Sequence, residues 1–221
     1  MVKRLASIVC ENKRYIWLGV ALMLIGVFFG YTNAEEIKQF AKQMIDNIQR
    51  IGSDIRKANN PLYTFGVIFK NNVMVAFSMV GLGIFFFGLY PALGLVTNGI
   101  LLGFLLKVYA SGGISPLKIL LAGILPHGII ELSAIIFAAA IGIKLGVLTY
   151  DWVVSLFVRE KRTTVRKKFS DMLRDLPLAV GTIVVMLFVA AVVETTITPL
   201  LIQSFVGQEI DIMKQMLKLK G

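Results

Sequence analysis

Four long apolar runs with few charges are the feature that most constrains the fold of this chain. They cover residues 15–34, 71–106, 119–150 and 176–208, and only Glu131, Lys144 and Glu194 interrupt them with a formal charge. A helix of about 20 residues spans the roughly 30 Å of hydrocarbon in a bilayer, so the second run is long enough for two short spans. Because 57% of the whole chain is hydrophobic as well, the pattern indicates a multi-pass membrane protein.

These runs predict an all-α, polytopic transmembrane bundle of about five spans, in a single membrane domain that covers residues 1–221. The predicted spans are about residues 15–33, 73–91, 93–108, 117–148 and 177–202. The turn between the second and third spans is predicted at Pro91 or at Asn98–Gly99, since these residues disfavour a continuous helix. Pro126, next to Gly128, predicts that the fourth span is kinked or broken, because proline removes a backbone hydrogen bond.

The placement of basic residues predicts the orientation of the chain. Basic residues precede the first span and recur through the loop between the fourth and fifth spans, residues 155–176. Cytoplasmic loops are enriched in Lys and Arg, so we expect a cytoplasmic N-terminus and, after five spans, an extracytoplasmic C-terminus in the cell membrane. The formal net charge of +10 is then explained by membrane topology, and no nucleic-acid partner is predicted.

Two segments outside the spans have amphipathic patterns. In residues 35–57 apolar residues recur at steps of three and four, opposite a charged face. We expect an extracytoplasmic helix that covers the bundle, lies on the lipid interface, or serves as a docking or dimerisation surface. The basic loop 155–176 has a similar pattern, typical of an interfacial helix held by anionic lipid, with an acidic cytoplasmic partner as the alternative. Pro177 suits the first turn of the fifth span.

An ionisable cluster in the middle of the fourth span is the candidate functional site. His127 is the only histidine of the chain, and Glu131 follows it by four residues, so both project from one face of a helix. A charged residue at the bilayer centre costs roughly 2.5–3.5 kcal/mol on insertion scales, so the pair needs a structural or functional reason. The polar residues of other spans that could meet the pair are Asn98, Glu194, Thr195 and Thr196.

Three interpretations of this cluster are open. A neutral hydrogen bond between His127 and Glu131 would stabilise the kink by packing alone. Broken helices near carboxylates also recur at transporter ion sites, which favours an ion or proton route. A metal site is the third interpretation; it needs another ligand, from Glu194 or a second subunit, because His127 and Glu131 supply only two.

No catalytic motif accompanies the cluster, so a non-enzymatic protein is predicted, with no cofactor apart from a bound cation. The sequence has neither the zinc-protease His-Glu-x-x-His arrangement nor a Gly-x-Ser-x-Gly elbow or a phosphate loop. Small residues instead mark predicted packing seams, because glycines four residues apart let membrane helices approach closely. These glycine pairs are Gly26 and Gly30, Gly99 and Gly103, and Gly142 and Gly146.

Together these motifs resemble the stage II sporulation protein M family of integral membrane proteins. The motifs, within about residues 65–150, are Asn71-Asn72, Asn98-Gly99-x-x-x-Gly103, Leu125-Pro126-His127-Gly128-x-x-Glu131-Leu132 and Gly142-x-x-x-Gly146. In sporulating bacteria the resemblance implies a membrane scaffold whose partner proteins recruit and drive peptidoglycan remodelling during engulfment. Members also occur in organisms that do not sporulate, so the motifs alone do not carry that role.

Two function classes follow from the residues and the resemblance. The first is a scaffold or assembly protein that binds other membrane proteins or copies of itself, in which the polar cluster fixes the bundle. The alternative is a channel or transporter for an ion, a metal or a small solute, in which the same cluster is the site. A cavity that connects His127 to a membrane face would favour the second class.

Overall fold

Helices are the only regular elements in residues 2–39, 60–158 and 162–207, which are the residues that the computed structural model describes. The helices are α1 (Val2–Thr32), α2 (Pro61–Phe85), α3 (Leu89–Ser111), α4 (Pro116–Ser155), α5 (Arg162–Thr196) and α6 (Thr198–Gly207). Helices α1 to α5 are long and apolar enough to cross a membrane. The predicted all-α architecture with five spans is therefore confirmed. The predicted amphipathic helix over 35–57 lies outside the described residues from position 40 onward.

Helix α2 begins well before the predicted residue 73. Its N-terminus is capped by the Asn60 side-chain oxygen, which accepts hydrogen bonds from the backbone N–H of Leu62 at 2.9 Å and of Tyr63 at 3.4 Å. Pro61 occupies the first helical position, where its missing N–H costs nothing. The cap, rather than the start of the apolar run, therefore sets the beginning of the helix.

The turn between α2 and α3 lies at residues 86–88, and its predicted position at Pro91 or Asn98–Gly99 was wrong. Phe87 and Gly88 have left-handed backbone angles, with φ of 51° and 85°, and the Gly88 N–H donates to the Gly83 carbonyl at 2.8 Å. This is a typical glycine-terminated helix end. Pro91 lies in the first turn of α3, where proline is tolerated, and Asn98–Gly99 lies inside that helix.

Helix α4 is interrupted just before Pro126, as the sequence predicts. Residues Ile119–Ile124 form a π-helical segment between the short α-helical turn Pro116–Lys118 and the α-helix Leu125–Ser155. The Leu125 N–H donates to the carbonyl of Leu120, five residues back. The wider turn accommodates the proline, which can neither donate to the preceding turn nor fit its carbonyl closely.

Helix α5 joins the basic segment and the fifth span into one element. The helix predicted within 155–176 is present from Arg162 onward and continues into the span, while its location at the lipid interface stays a prediction. The expectation that Pro177 lies in the first turn of the span was wrong, because Pro177 lies inside Arg162–Thr196. The reason is that the buried stripe runs without a break past the exposed proline. Its members are Val165, Met172, Ala179, Ile183, Leu187, Ala190 and Ala191. The span ends at Thr196 instead of about residue 202, and α6 follows.

Glycine contacts between parallel helices determine the packing. A Cβ atom added to Gly26 or Gly99 would meet the backbone of the other helix, at the carbonyls of Val96 and Met23 respectively, and Gly30 and Gly103 repeat this one turn further along. The predicted seams of α1 and α3 therefore face each other. Gly142 and Gly146 of α4 pack in the same way against the end of α2 and its turn.

An ion pair holds one end of the bundle together. The Arg4 guanidinium lies 2.7 Å from the Asp175 carboxylate, which joins the start of α1 to the basic part of α5. We call this end, where α1 and α5 begin and α2 and α4 end, the Arg4 end of the bundle. The two segments predicted to share the cytoplasmic side thus meet each other; which side of the membrane they occupy stays a prediction.

Candidate polar site within the bundle

The distorted turn of α4 opens onto a polar cavity of about 250 Å³ between α1, α2, α3 and α4. Its polar lining residues are Asn71, Asn72, Asn98, His127 and Glu131. Gly128, buried, and Met23 are among the residues that form the rest of the wall. Polar groups at this depth are unusual in a membrane bundle and mark substrate or ion pathways more often than packing alone.

Three asparagines reach the cavity from two different helices. Asn71 donates its side-chain amide to the Asn72 side-chain oxygen at 3.3 Å, and Asn72 is close enough for its side chain to hydrogen-bond to Glu131. Asn98 arrives from α3, next to Gly99, whose contact with Met23 fixes α3 against α1. The polar residues of the sequence motifs, which lie far apart in the chain, therefore converge on one site.

His127, Glu131 and Glu194 form the centre of the site. One potential ligand atom from each of the three lies within 4.8 Å of the others, and all three side chains are half-buried. Glu194 is brought there by α5, which runs antiparallel to α4. The third ligand that the sequence analysis required for a metal site is thus next to the other two.

The hydrogen bond that His127 makes is with Thr198, and not with Glu131 as the packing interpretation expected. His127 Nδ1 lies 3.1 Å from Thr198 Oγ1, and that hydroxyl also donates to the Val193 carbonyl at 3.4 Å. A hydroxyl that donates to Val193 can accept from Nδ1–H, and in that tautomer Nε2 keeps its lone pair free. A hydrogen-bonded Nδ1 with a free Nε2 is the usual arrangement of a metal-ligating histidine.

Thr198 is the site residue that sequence reasoning missed. It is only 4% exposed and begins α6, directly after the end of the fifth span. Thr195 and Thr196, which the sequence analysis named instead, donate their hydroxyls to the carbonyls of Ala191 and Val192 in their own helix. The turn at Ile197, between α5 and α6, brings Thr198 close to His127. In the sequence, Pro199 is the only residue that indicates this turn.

The charges of the site are unbalanced. Two carboxyl groups, of Glu131 and Glu194, lie together with a histidine. Among the described residues, no lysine or arginine lines the cavity. Two neighbouring carboxylates in a medium of low dielectric constant cannot both stay ionised without a counter-charge. The arrangement therefore suits a cation or a shared proton.

A packed apolar layer separates the site from the Arg4 end. Its members are completely buried side chains of three helices, α3, α4 and α5: Leu95, Ile141, Leu145, Ile183 and Leu187. The close backbone contacts of Gly142 and Gly146 with α2 and its turn continue this layer. At the opposite end α6 covers the connection between α3 and α4, where Val206 packs with Ile114 and Ile119.

Comparison with known proteins places this fold in a family. The model of the family described as "Stage II sporulation protein M" matches residues 19–199. An uncharacterized protein of Methanocaldococcus jannaschii is 28% identical over 188 residues, which make up 83% of this chain and 93% of the relative. No solved structure matches the chain.

Proposed function

This chain belongs to the stage II sporulation protein M family, and from that premise we propose that it moves a divalent cation across the membrane. The observation that carries the proposal is the convergence of ligand atoms from His127, Glu131 and Glu194 within 4.8 Å. A polar cavity beside a broken helix adds support, because transporter sites are commonly built from discontinuous helices near the bilayer midplane. Glu131 lies midway in sequence between Lys118 and Lys144, the nearest charged residues on either side of it in α4.

The ligand types indicate which cation fits. Imidazole nitrogen suits zinc and iron, and carboxylate and amide oxygens suit manganese or magnesium, so a mixed set favours Mn²⁺ or Zn²⁺. His127 Nε2 and one oxygen each from Glu131 and Glu194 would bind the ion. Asn72 would orient Glu131, and Thr198 would orient His127. The double positive charge would offset the two carboxylates.

Transport requires the apolar layer between the polar site and the Arg4 end to open. The buried side chains of Leu145 and Leu187 and the contact of Gly142 with α2 would have to separate for an ion to leave in that direction. Parallel helices joined by glycine contacts can move as pairs, so we propose a rocking of α1 with α3 against α2 with α4. Packed interfaces of this kind switch between discrete arrangements rather than deforming continuously.

Ion flux in proteoliposomes tests the proposal. Purified protein should carry Mn²⁺ or Zn²⁺ into vesicles that contain a metal-sensitive dye, and Glu131→Gln with Glu194→Gln should abolish the flux while thermal stability in detergent is kept. Glu11→Gln, at a carboxylate of the Arg4 end outside the site, is the matched control. Absence of flux in the wild-type protein under either metal gradient, with binding also absent, would refute the transport function.

The second candidate is a scaffold that binds partner membrane proteins or copies of itself. It is favoured by the helical extension of α5, which holds the exposed residues Arg162, Arg166 and Lys167 beyond the apolar part of the span. The family resemblance favours it as well.

The heptad-like stripe of residues 35–57 is the other candidate contact surface, so Ile48→Asp should weaken self-association or partner capture. Unchanged cross-linking and an unchanged mass in detergent would count against that surface.

Both candidates share the same setting in the cell. We propose a non-enzymatic protein of the cell membrane with a cytoplasmic N-terminus and an extracytoplasmic C-terminus, because cytoplasmic segments are rich in Lys and Arg. The contact of Arg4 with Asp175 supports a common side for the N-terminus and the basic part of α5.

A further inference from the structure

A second cavity, of about 550 Å³, lies at the Arg4 end, where α2 and α4 finish and α5 begins. It is lined by Ile84, Thr149, Trp152, Arg166, Phe169, Ser170 and Leu173. We call it the Trp152 groove. Its size is within the range of about 300–1,000 Å³ that small-molecule sites occupy, and it shares no lining residue with the polar site.

The Trp152 groove combines an apolar wall with one positively charged side chain. Arg166 is the only charged residue that lines it, and Arg166 has no ion-pair partner among residues 2–39, 60–158 and 162–207. Arg162 stands one turn earlier on the same face of α5. By contrast, the nearby Arg174 contacts the carboxylates of Asp171 and Asp175 at 3.4 and 4.0 Å.

The sequence around the groove is typical of a membrane interface. Residues 166–173 come directly before the apolar stretch that starts at Leu176, and the groove reaches Ile84, next to the end of α2. Trp152, half exposed, is the residue type that concentrates at the headgroup level of bilayers. A ligand in this groove would therefore touch both headgroups and hydrocarbon.

We propose that the Trp152 groove binds one anionic phospholipid. The phosphate lies at Arg166 with Ser170 as a neutral donor, and an acyl chain packs on Trp152, Phe169 and Leu173. Charge complementarity favours an anionic over a zwitterionic headgroup, as at other basic pockets between transmembrane helices. The apolar wall favours a lipid over an acidic peptide, whose side chains would gain nothing from it.

Lipid binding to the purified full-length protein, measured by native mass spectrometry with phosphatidylglycerol and phosphatidylcholine, tests the proposal. Arg166→Gln should weaken phosphatidylglycerol binding about fivefold, since one basic residue near an anionic surface contributes about 1 kcal/mol, and should leave phosphatidylcholine unaffected. Lys13→Gln, at an exposed basic residue of α1 outside the groove, is the matched control and should change neither affinity.

A second variant separates a defined groove from general charge attraction. Ser170→Trp keeps Arg166 and fills the groove from an exposed position, so it should reduce phosphatidylglycerol binding by at least fivefold. Equal binding of the two lipids to the wild-type protein, an equal loss in Lys13→Gln, or full binding in Ser170→Trp would each overturn the proposal. Circular dichroism and thermal unfolding in the same detergent provide an independent check that each variant is folded.

Discussion

At the scale of single residues, the hydroxyl of Thr198 is the group that contacts the ring of His127. It lies 3.1 Å from Nδ1 and also contacts the Val193 carbonyl at 3.4 Å. Outer hydrogen-bond partners of this kind fix the tautomer and the ring position of a ligating histidine. The chemistry of the site therefore depends on a residue that would not touch the ion.

Thr198→Val should lower the affinity for Mn²⁺ or Zn²⁺ about 10- to 100-fold, which is the usual cost of losing such a partner. Valine has nearly the same shape, so the fold should persist, and Thr198→Ser should restore most of the affinity. Thr196→Val is the control, because that exposed hydroxyl bonds only within its own helix. Calorimetric titration measures the effect; equal affinities in the two valine variants would contradict a positioning role for Thr198.

The ionisable centre could be predicted from the sequence, and its geometry could not. Uncharged runs make His127, Glu131 and Glu194 conspicuous, since each carries an ionisable group in a segment expected to lie in hydrocarbon. Thr198 is not conspicuous, because threonine is common in membrane helices and usually bonds to its own backbone. Its role depends on where α5 ends, which is a tertiary property.

At the scale of helices, glycine contacts determine where each element can lie. Gly83 of α2 abuts the backbone of Gly142, so that a Cβ atom added to Gly83 would overlap the Gly142 carbonyl, whereas Gly81 has open space around it. The same helix thus contains one glycine that its neighbour requires and one that it does not. This difference gives a controlled test of the packing.

Gly83→Ala should destabilise the bundle by about 1–3 kcal/mol, because the added methyl group overpacks the contact between α2 and α4. Gly81→Ala should leave stability unchanged or raise it by up to about 1 kcal/mol, since alanine favours a helix more than glycine does. Unfolding of both variants in the same detergent, followed by circular dichroism, measures the difference. Equal stability of the two would show that the contact is looser than the structure indicates.

Helix existence could be predicted from the sequence more securely than helix limits. The apolar runs identify five spans, but the Asn60 cap extends α2 backwards and the buried stripe past Pro177 extends α5 beyond the bilayer. Both extensions depend on polar segments that hydropathy assigns to loops. The turn at Phe87–Gly88 was not predicted. A glycine among apolar residues is found both at helix ends and at close helix contacts, so the sequence does not distinguish the two.

At the scale of the whole molecule, an odd number of spans predicts that the two termini lie on opposite sides of the membrane. The basic start of α1 and the basic part of α5 both lie at the Arg4 end. The positive-inside rule predicts that this end faces the cytoplasm. In that orientation, the proposed route of the cation leads from the polar site through the apolar layer to the cytoplasm. The apolar layer would then be the cytoplasmic barrier of the route.

Thiol labelling in intact cells tests the orientation. Cys10, the single cysteine and an exposed one, should react with a membrane-impermeant maleimide only after the cells are opened. In a Cys10→Ser background, Gly221→Cys should react in intact cells, because five spans carry the C-terminus outside. A permeant maleimide that labels both positions shows that neither thiol is hidden by the fold. Labelling of both positions from the same side would contradict the five-span topology, and exchanged sides would keep the spans but invert the predicted orientation.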